Sequence, residues 1–519
     1  MSADRSSSPS PDASPPRSTP PRAAPQRPAP QRPAMLRLVR RLLSPLHPRK
    51  LALRGLYLAH RLGWHHVWLW LSGLAPRRLA ASARWLAACR ATLRRRRREP
   101  RLTVAVDIAP FWEPLTGIGW YLYRLLEHLA ARDDVRLRLY GPSLVDKGDQ
   151  PEPVVPLPTG PALEEVCWSI PESFSIVHYW LADRLRAREG WLVARDRNDV
   201  LFAPNYFLPD RFHGSPGALV ATVHDLSVDR VPETMRESTR RDLEKRLRAT
   251  TAAAAALITD SDAVRGEIVE AGLATADAVH AVPLAPGSVV RRGSRGDEHD
   301  DVSAAGPPPR PERAPSRYIL HVGTLEPRKD VGTLLTAFDR VRARHPEVGL
   351  VLTGGWGWKA DALRPRVAEA EAAGWLWPAG YVDQPTLEAL YDHAEWLAMA
   401  SLYEGFGLPA VEAMAAGVPL LLSDLPVLRE VGGDAALYAP ARDVDAWAAL
   451  VDRALGDADL RTELAHRART RAERFDWGRT ADATLEVWRR AGADRRRRRL
   501  GPRGPGRGQG RGTSQGALR

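Results

Sequence analysis

From residue 101 to about residue 490 the chain alternates short apolar runs with amphipathic helical stretches, and this alternation restricts its fold more than any other feature. Residues 102–110, LTVAVDIAP, form a short apolar run. The stretch after them carries Leu122, Leu125, Leu126 and Leu129 at the i, i+3, i+4, i+7 spacing of one buried helix face. Further strands are expected at 200–203, 218–223 and 256–259. A second series begins at 318–322 and continues through 348–353, 374–377, 396–400 and 419–422. Strands separated by helices pair side by side in one direction, which gives parallel sheets covered on both faces. Residues 288–316 are polar and Pro-rich and read as a linker between the two series. The expected fold class is therefore α/β, with two Rossmann-like domains, 101–287 and 317–474, facing across a cleft.

Charge separates this body from its ends. The formal net charge of +13 would suit a nucleic-acid or anionic-membrane partner. Residues 1–100, however, hold 21 basic and 3 acidic side chains, and residues 489–519 hold 11 and 1. The remaining 43 basic and 58 acidic side chains leave the body at −15. A folded body of that sign offers no basic groove, so no nucleic-acid partner is expected. Cys89 and Cys167 are the sole cysteines, which excludes a disulfide scaffold and a CxxC zinc site.

Residues 1–34 are Pro, Ser, Ala and Arg with too few apolar side chains to bury a core, and they are expected to be disordered. Met35 directly after them is an alternative start, and no apolar core of a secretory signal follows Met1. Residues 35–100 are Arg-, Leu- and Trp-rich and read as a basic amphipathic helical region. Their longest uncharged run, residues 62–76, is shorter than the ~20 apolar residues of a spanning helix. Trp64, Trp68 and Trp70, with Arg61, Arg77, Arg78 and the run from Arg94 to Arg98, fit a helix lying on an anionic bilayer surface. The alternative is compositional: the whole chain has five lysines, so arginine is its default cation. The Arg/Gly-rich segment 492–519 is expected to be a disordered tail.

Residues that carry chemistry concentrate in four segments. In SLYEGFGLPAVEAMAAGVPLLLSDLP, residues 401–426, Glu404 is expected at a strand end, and Gly405 and Gly407 let the backbone approach a ligand. Pro409 suits the first turn of a helix that Gly417 stops, which places Glu412 inside that helix. Two carboxylates so spaced can face one cleft and accept hydroxyl hydrogen bonds, as vicinal sugar hydroxyls require. The bland reading is two glutamates flanking an ordinary strand–loop–helix. In residues 318–338, Arg328 and Lys329 precede a helix, and two cations beside exposed N–H groups suit a diphosphate. Gly117 and Gly119 lie in a short loop expected before the first helix. His224 and Asp225 follow the strand at 218–223, at the sheet edge where α/β proteins bind ligands, although such a histidine is often a structural hydrogen bonder. Three Asp-x-Asp spacings, at 260–262, 443–445 and 457–459, sit at helix starts and read as caps, so no metal site is expected.

Over roughly residues 104–490 these segments resemble the retaining nucleotide-sugar glycosyltransferases of family 4 (group 1), which have the GT-B fold. The resemblance implies that Glu404 contacts the donor sugar and that Glu412 holds the ribose hydroxyls. It places the backbone amides of Gly405, Phe406, Gly407 and Leu408 near the donor hexose. Arg328 and Lys329 would neutralise the diphosphate, because Thr324 stands where many members carry an arginine. The loop of Gly117 and Gly119 would close over the donor phosphates. The side chain of His224 or its neighbouring carbonyl would sit against the reacting face of the sugar. Residues 475–491 resemble the helix that crosses back onto the first domain.

The resemblance thus implies hexose transfer from a nucleotide diphosphate sugar to a glycan or lipid-linked acceptor, with no cofactor and no metal required. Residues 204–209, PNYFLP, and the His-Asp segment look most like members handling mannose for surface polysaccharides. The expected location is cytoplasmic, peripheral on the inner face of the membrane. The rival readings are a nucleotide-sugar epimerase and a non-catalytic, membrane-docked binding protein.

Overall fold

The computed structural model describes residues 101–112, 115, 117–141, 157–165, 193, 196–209, 212–287 and 308–500. The expectations for residues 1–34, 35–100 and 501–519, and for most of the linker, fall outside these residues.

Two all-parallel sheets organise the chain. The first contains β1 (Leu102–Asp107), β2 (Val135–Tyr140), β3 (Leu163–Glu165), β4 (Val200–Ala203), β5 (Ala218–Thr222), β6 (Ala256–Thr259) and β7 (Val279–Ala281). Their order across the sheet is β3-β2-β1-β4-β5-β6-β7. The second contains β8 (Arg317–Val322), β9 (Val348–Thr353), β10 (Leu376–Gly380), β11 (Trp396–Met399), β12 (Leu420–Ser423) and β13 (Ala436–Ala439), in the order β10-β9-β8-β11-β12-β13. Every residue of β4, β5 and β9 is buried, as strands covered on both faces must be. In each sheet the chain winds outward in one direction and then returns to the other side of its first strand. The reversals fall between β1 and β4 and between β8 and β11, and such switch points open a crevice at the carboxyl ends of the strands.

Helices follow from the expected faces. Leu122, Leu125, Leu126 and Leu129 are all buried on α1 (Gly117–Ala130). That helix begins earlier than expected: Gly117 and Gly119 form its first turn rather than a loop before it. Burial of Gly119, Tyr121 and Leu122 outweighs the ~1 kcal/mol of backbone entropy that glycine loses in a helix. A methyl on Gly119 would lie 2.7 Å from Leu115 Cδ2, so a side chain there would require Leu115 to shift.

Four strands escaped the sequence reading. In β2, Arg136 and Arg138 interrupt the apolar pattern, yet Arg138 is buried, with Nη1 donating to the Asp196 carbonyl and to Asn198 Oδ1 at 2.9 Å each. β3 is three residues long with two glutamates, and β7 and β13 are short edge strands. β10 starts two residues later than expected and shifts register at Pro378, which cannot donate to the ladder.

The closing helix, Trp477–Leu500, runs beyond its expected end, so residues 492–500 belong to it and not to the tail. Arginine is a strong helix former, and Arg495 Nε is tied to the Pro216 carbonyl at 2.6 Å. This helix packs on the first domain. Trp477 Nε1 donates to the Pro286 carbonyl at 2.8 Å, Thr480 Oγ1 to that of Pro283 at 2.7 Å, and the ring of Trp488 lies 4.8 Å from that of Phe202. No helix among the described residues is long and apolar enough to cross a membrane. Trp488 is fully buried, so Trp488→Ala is expected to cost about 3–5 kcal/mol of stability. The midpoint of urea unfolding measures this, and an unchanged midpoint would mean that the helix does not hold the first domain.

Candidate functional site

The switch point of the second sheet collects the charged residues. β8 leads through Gly323 and the single turn Pro327–Lys329 into helix Val331–Val341. Across it, β11 leads through residues 400–407 into helix Leu408–Ala416, with Pro409 in its first turn and Gly417 closing it at φ 77°. Gly407 caps the start of that helix at φ 95°, a left-handed conformation that a side chain would strain.

Glu404 lies in this connection and is buried. Its Oε1 accepts from Lys329 Nζ and from Ser401 Oγ, each at 2.6 Å, and its Oε2 accepts from Arg328 Nη1 at 3.1 Å. Arg328 also pairs with Glu326 at 2.9 Å. Burial alone would raise the Glu404 carboxyl, but Lys329 and Arg328 override it and hold it at about 2. Burial draws Lys329 down, against the pull of Glu404. Two cations and two carboxylates, Arg328 and Lys329 with Glu326 and Glu404, thus neutralise one another within the fold.

Glu412 sits one helix turn further in, in the opposite environment. Its Oε2 accepts from Tyr391 OH at 2.7 Å, with further support from the backbone of Gly287. Among the described residues no cation faces it, and burial pushes its carboxyl up to about 7. Phe406 is buried against the ring of Phe475, 5.8 Å away, and Leu408 opens the helix beneath Gly117, whose missing Cβ would lie 3.8 Å from Leu408 Cδ1. The first turn of α1 and the Glu404–Glu412 segment therefore meet.

The first sheet supplies the facing wall. Gly405 lies so close that a methyl there would be 1.9 Å from the carbonyl oxygen of His224. Ser261 Oγ donates to the Gly405 carbonyl at 2.9 Å, and Tyr403 OH accepts from the Leu226 amide at 2.9 Å while donating to Glu267 at 2.7 Å. It is thus the carbonyl of His224 that meets the second domain. Its ring turns inward, where Nδ1 lies 2.7 Å from Asp260 Oδ2 and Nε2 lies 2.9 Å from the Pro204 carbonyl.

Asp260 was readable only as part of a helix-start spacing. Ser261, Asp443 and Asp457 do cap helices, accepting from Val264, Ala446 and Leu460. Asp260 instead reaches His224. Its signal was present in the sequence, as an acidic residue directly after an apolar strand, at the same sheet edge as His224. Tyr391, Ser401 and Tyr403 carried no such signal. Among the described residues no group of three or more His, Cys, Asp or Glu side chains could hold a metal ion.

Residues 307–471 match the family described as glycosyl transferases group 1. The O-antigen chain mannosyltransferase B of Escherichia coli is 33% identical over 390 residues, which cover 73% of this chain and 97% of that protein. The chain belongs to the group 1 glycosyltransferases.

A phosphatidyl-myo-inositol mannosyltransferase of Mycolicibacterium smegmatis is 34% identical over 176 residues, 33% of this chain and 45% of that protein. Among solved structures, sucrose-phosphate synthase of Thermosynechococcus elongatus aligns with a TM-score of 0.57 at 21% identity, over 76% of this chain and all of that one. The Anabaena protein HepE, in complex with UDP and glucose, aligns with a TM-score of 0.53 at 16% identity, over 75% of this chain and all of that one. Two parallel sheets with these neighbours make the fold of this glycosyltransferase GT-B.

The two glutamates predict opposite responses to pH. Glu404 is held at about 2 against an ordinary 4.5, so its contribution is complete above pH 4.5 and is lost as the pH falls toward 2. Glu404→Gln is expected to destabilise the glycosyltransferase at pH 7 by about 3 kcal/mol, a difference that shrinks on acidification. Glu412 is raised to about 7, so stability falls as the pH rises from 4.5, where the unfolded carboxyl ionises while the folded one stays protonated, to about 7. Glu412→Gln is therefore expected to be the more stable protein at pH 8, by about 3 kcal/mol, and equal to the parent near pH 4. Urea titrations at the two pH values measure both differences, and a Glu412→Gln protein no more stable than its parent at pH 8 contradicts the buried carboxyl.

Proposed function

We propose that the chain is a retaining hexosyltransferase of the family 4 type. It would move mannose from a nucleotide diphosphate sugar to a glycan or lipid-linked acceptor in surface polysaccharide or glycolipid synthesis. The observation that carries this reading is the cluster of half-buried Arg328 with buried Lys329 and Glu404 at the switch point of the second sheet, facing the His224 carbonyl of the first. Relatives named as mannosyltransferases, and neighbours solved with UDP, support the sugar and the donor class.

In this reading the diphosphate takes Arg328 and Lys329, and Glu404 turns from them to the hexose hydroxyls. The nucleotide ribose takes the Glu412 carboxylate in place of Tyr391. The bond from the sugar C1 to the phosphate oxygen breaks while the acceptor oxygen bonds to C1 on the same face. The acceptor proton passes to the departing phosphate. Positive charge fixed at Arg328 and Lys329 stabilises the charge that develops there, so no metal is called for. The first turn of α1, with Gly117 and Gly119, would border the phosphates, and the amides of Gly405, Phe406, Gly407 and Leu408 the hexose. Residues 35–99 would bring the enzyme to an anionic membrane on its cytoplasmic face, where lipid-linked acceptors lie.

The test is nucleotide diphosphate release from a panel of nucleotide sugars, with and without lipid extract or glycan, in the presence of EDTA. Acceptor-dependent release with retained anomeric configuration is expected, most strongly from a mannose donor. Epimerised sugar without release would instead make the protein an epimerase. Glu404→Gln is expected to lose at least about a hundredfold in turnover while still binding the nucleoside diphosphate. Equal loss of both would contradict the division of roles.

A further inference from the structure

His224 is held from both sides by acceptors. Pro204, His224 and Asp260 lie just beyond the carboxyl ends of three adjacent strands, β4, β5 and β6. The Asp260 carboxylate faces Nδ1 at 2.7 Å and the Pro204 carbonyl faces Nε2 at 2.9 Å. A carbonyl oxygen has no proton to give, so Nε2 must carry one. A ring protonated there alone would turn the lone pair of Nδ1 toward an ionised carboxylate. The ring that satisfies both contacts beside an ionised Asp260 is the doubly protonated one, and it has no lone pair left with which to take a proton from an acceptor.

Burial works against charge on both partners. At His224 the Asp260 carboxylate outweighs it and the ring pKa rises, whereas at Asp260 burial outweighs the pull of His224 and the carboxyl rises as well. It is therefore the geometry of the two ring contacts that argues for the pair. The ring is braced edge-on by Tyr121, 5.1 Å away, whose hydroxyl is occupied by Thr222 at 3.1 Å. The neighbouring carboxylate, Asp225, is folded onto Ser227 through contacts of 3.0 and 2.7 Å.

Asp260 is 2% exposed, and its second oxygen, Oδ1, has no hydrogen-bond partner among the described residues. An asparagine would serve a merely structural contact to Nδ1–H without burying a charge. A carboxylate with one orphaned oxygen is costly, and its use here is to compensate a cation.

We propose that Asp260 is a positioning residue for glycosyl transfer: it holds His224 as a locked imidazolium and so fixes the His224 carbonyl, not a ring nitrogen, against Gly405 at the donor cleft. This rests on the transferase reading given above. The chemistry assigned to His224 is then that of a fixed dipole whose negative end lies beside the reacting sugar, with a positive charge anchored behind it. A strand-end histidine in a sugar-binding cleft would otherwise be taken for a general base, and here both ring nitrogens are engaged.

Two measurements test this on the full-length protein. The first is the 15N spectrum of histidine-labelled wild-type enzyme, with His224 assigned by its absence in His224→Gln. Two protonated ring nitrogens at neutral pH are expected, and one unprotonated nitrogen overturns the proposal whatever the activity. The second is Asp260→Asn, checked for folding by urea unfolding. It is expected to lower kcat roughly tenfold to a hundredfold, with the donor KM and the Kd for UDP or GDP held within about twofold. Unchanged kcat, or a parallel loss of nucleotide affinity, overturns the positioning role. A wild-type enzyme that transfers no sugar from any donor defeats the functional reading instead, and the ring spectrum still decides the ion pair.

Discussion

A buried lysine and a half-buried arginine in the turn after β8 can persist only if a carboxylate is buried with them, because an unpaired charge in that position would cost several kcal/mol. Glu404 meets this requirement, and the connection that carries it is shaped accordingly. The Leu402 amide donates to the Arg328 carbonyl at 2.8 Å, and Arg328 in turn donates to the Tyr403 carbonyl at 3.0 Å, so the two chain segments are stitched together before Glu404 is reached. Gly405 and Gly407 follow because the chain must then pass under the His224 carbonyl and enter a helix through a left-handed residue. The charged cluster and the loop geometry are one constraint seen twice.

The same loop joins the two domains. Tyr403 reaches Leu226 and Glu267, and the Gly405 carbonyl takes the Ser261 hydroxyl. Nearby, Glu430 accepts from the amides of Asp262 and Ala263 at 2.9 and 3.0 Å, filling the exposed N-terminus of helix Asp262–Glu270. Under the proposed function, a diphosphate that displaced Glu404 would be felt at the domain contact through Tyr403 and Gly405, two residues of the same short connection.

How much of this was legible in the sequence follows from what each feature depends on. Strands such as 200–203, 256–259 and 348–353 were readable to the residue, because a strand buried on both faces must be continuously apolar. β2 was not, since Arg138 is accommodated by Asp196 and Asn198, about sixty residues away, and no local pattern announces such a partner. Glu404, Glu412, Arg328 and Lys329 stood out because their spacing relative to glycine and proline is local. That Glu404 binds Arg328 and Lys329 while Glu412 binds Tyr391 was not legible, because it depends on how two sheet edges meet. Asp260 was misread for the same reason: its partner lies just beyond the adjacent strand, thirty-six residues back.

The two glutamates of one motif show why that tertiary information matters to function. Eight residues apart and chemically identical, they are driven in opposite directions, Glu404 to about 2 by two cations and Glu412 to about 7 by burial beside a neutral phenol. Under the proposed function, the carboxylate paired with cations would exchange them for sugar hydroxyls and leave positive charge for a diphosphate, and hydroxyl donors from a ribose would stabilise the ionised form of the carboxyl near neutrality. Environments that separate the pKa values of like groups are how one site assigns them different tasks. His224 and Asp260 extend that logic across the cleft: a carboxylate buried for the sake of a cation, and a cation buried so that a carbonyl stays where it is aimed.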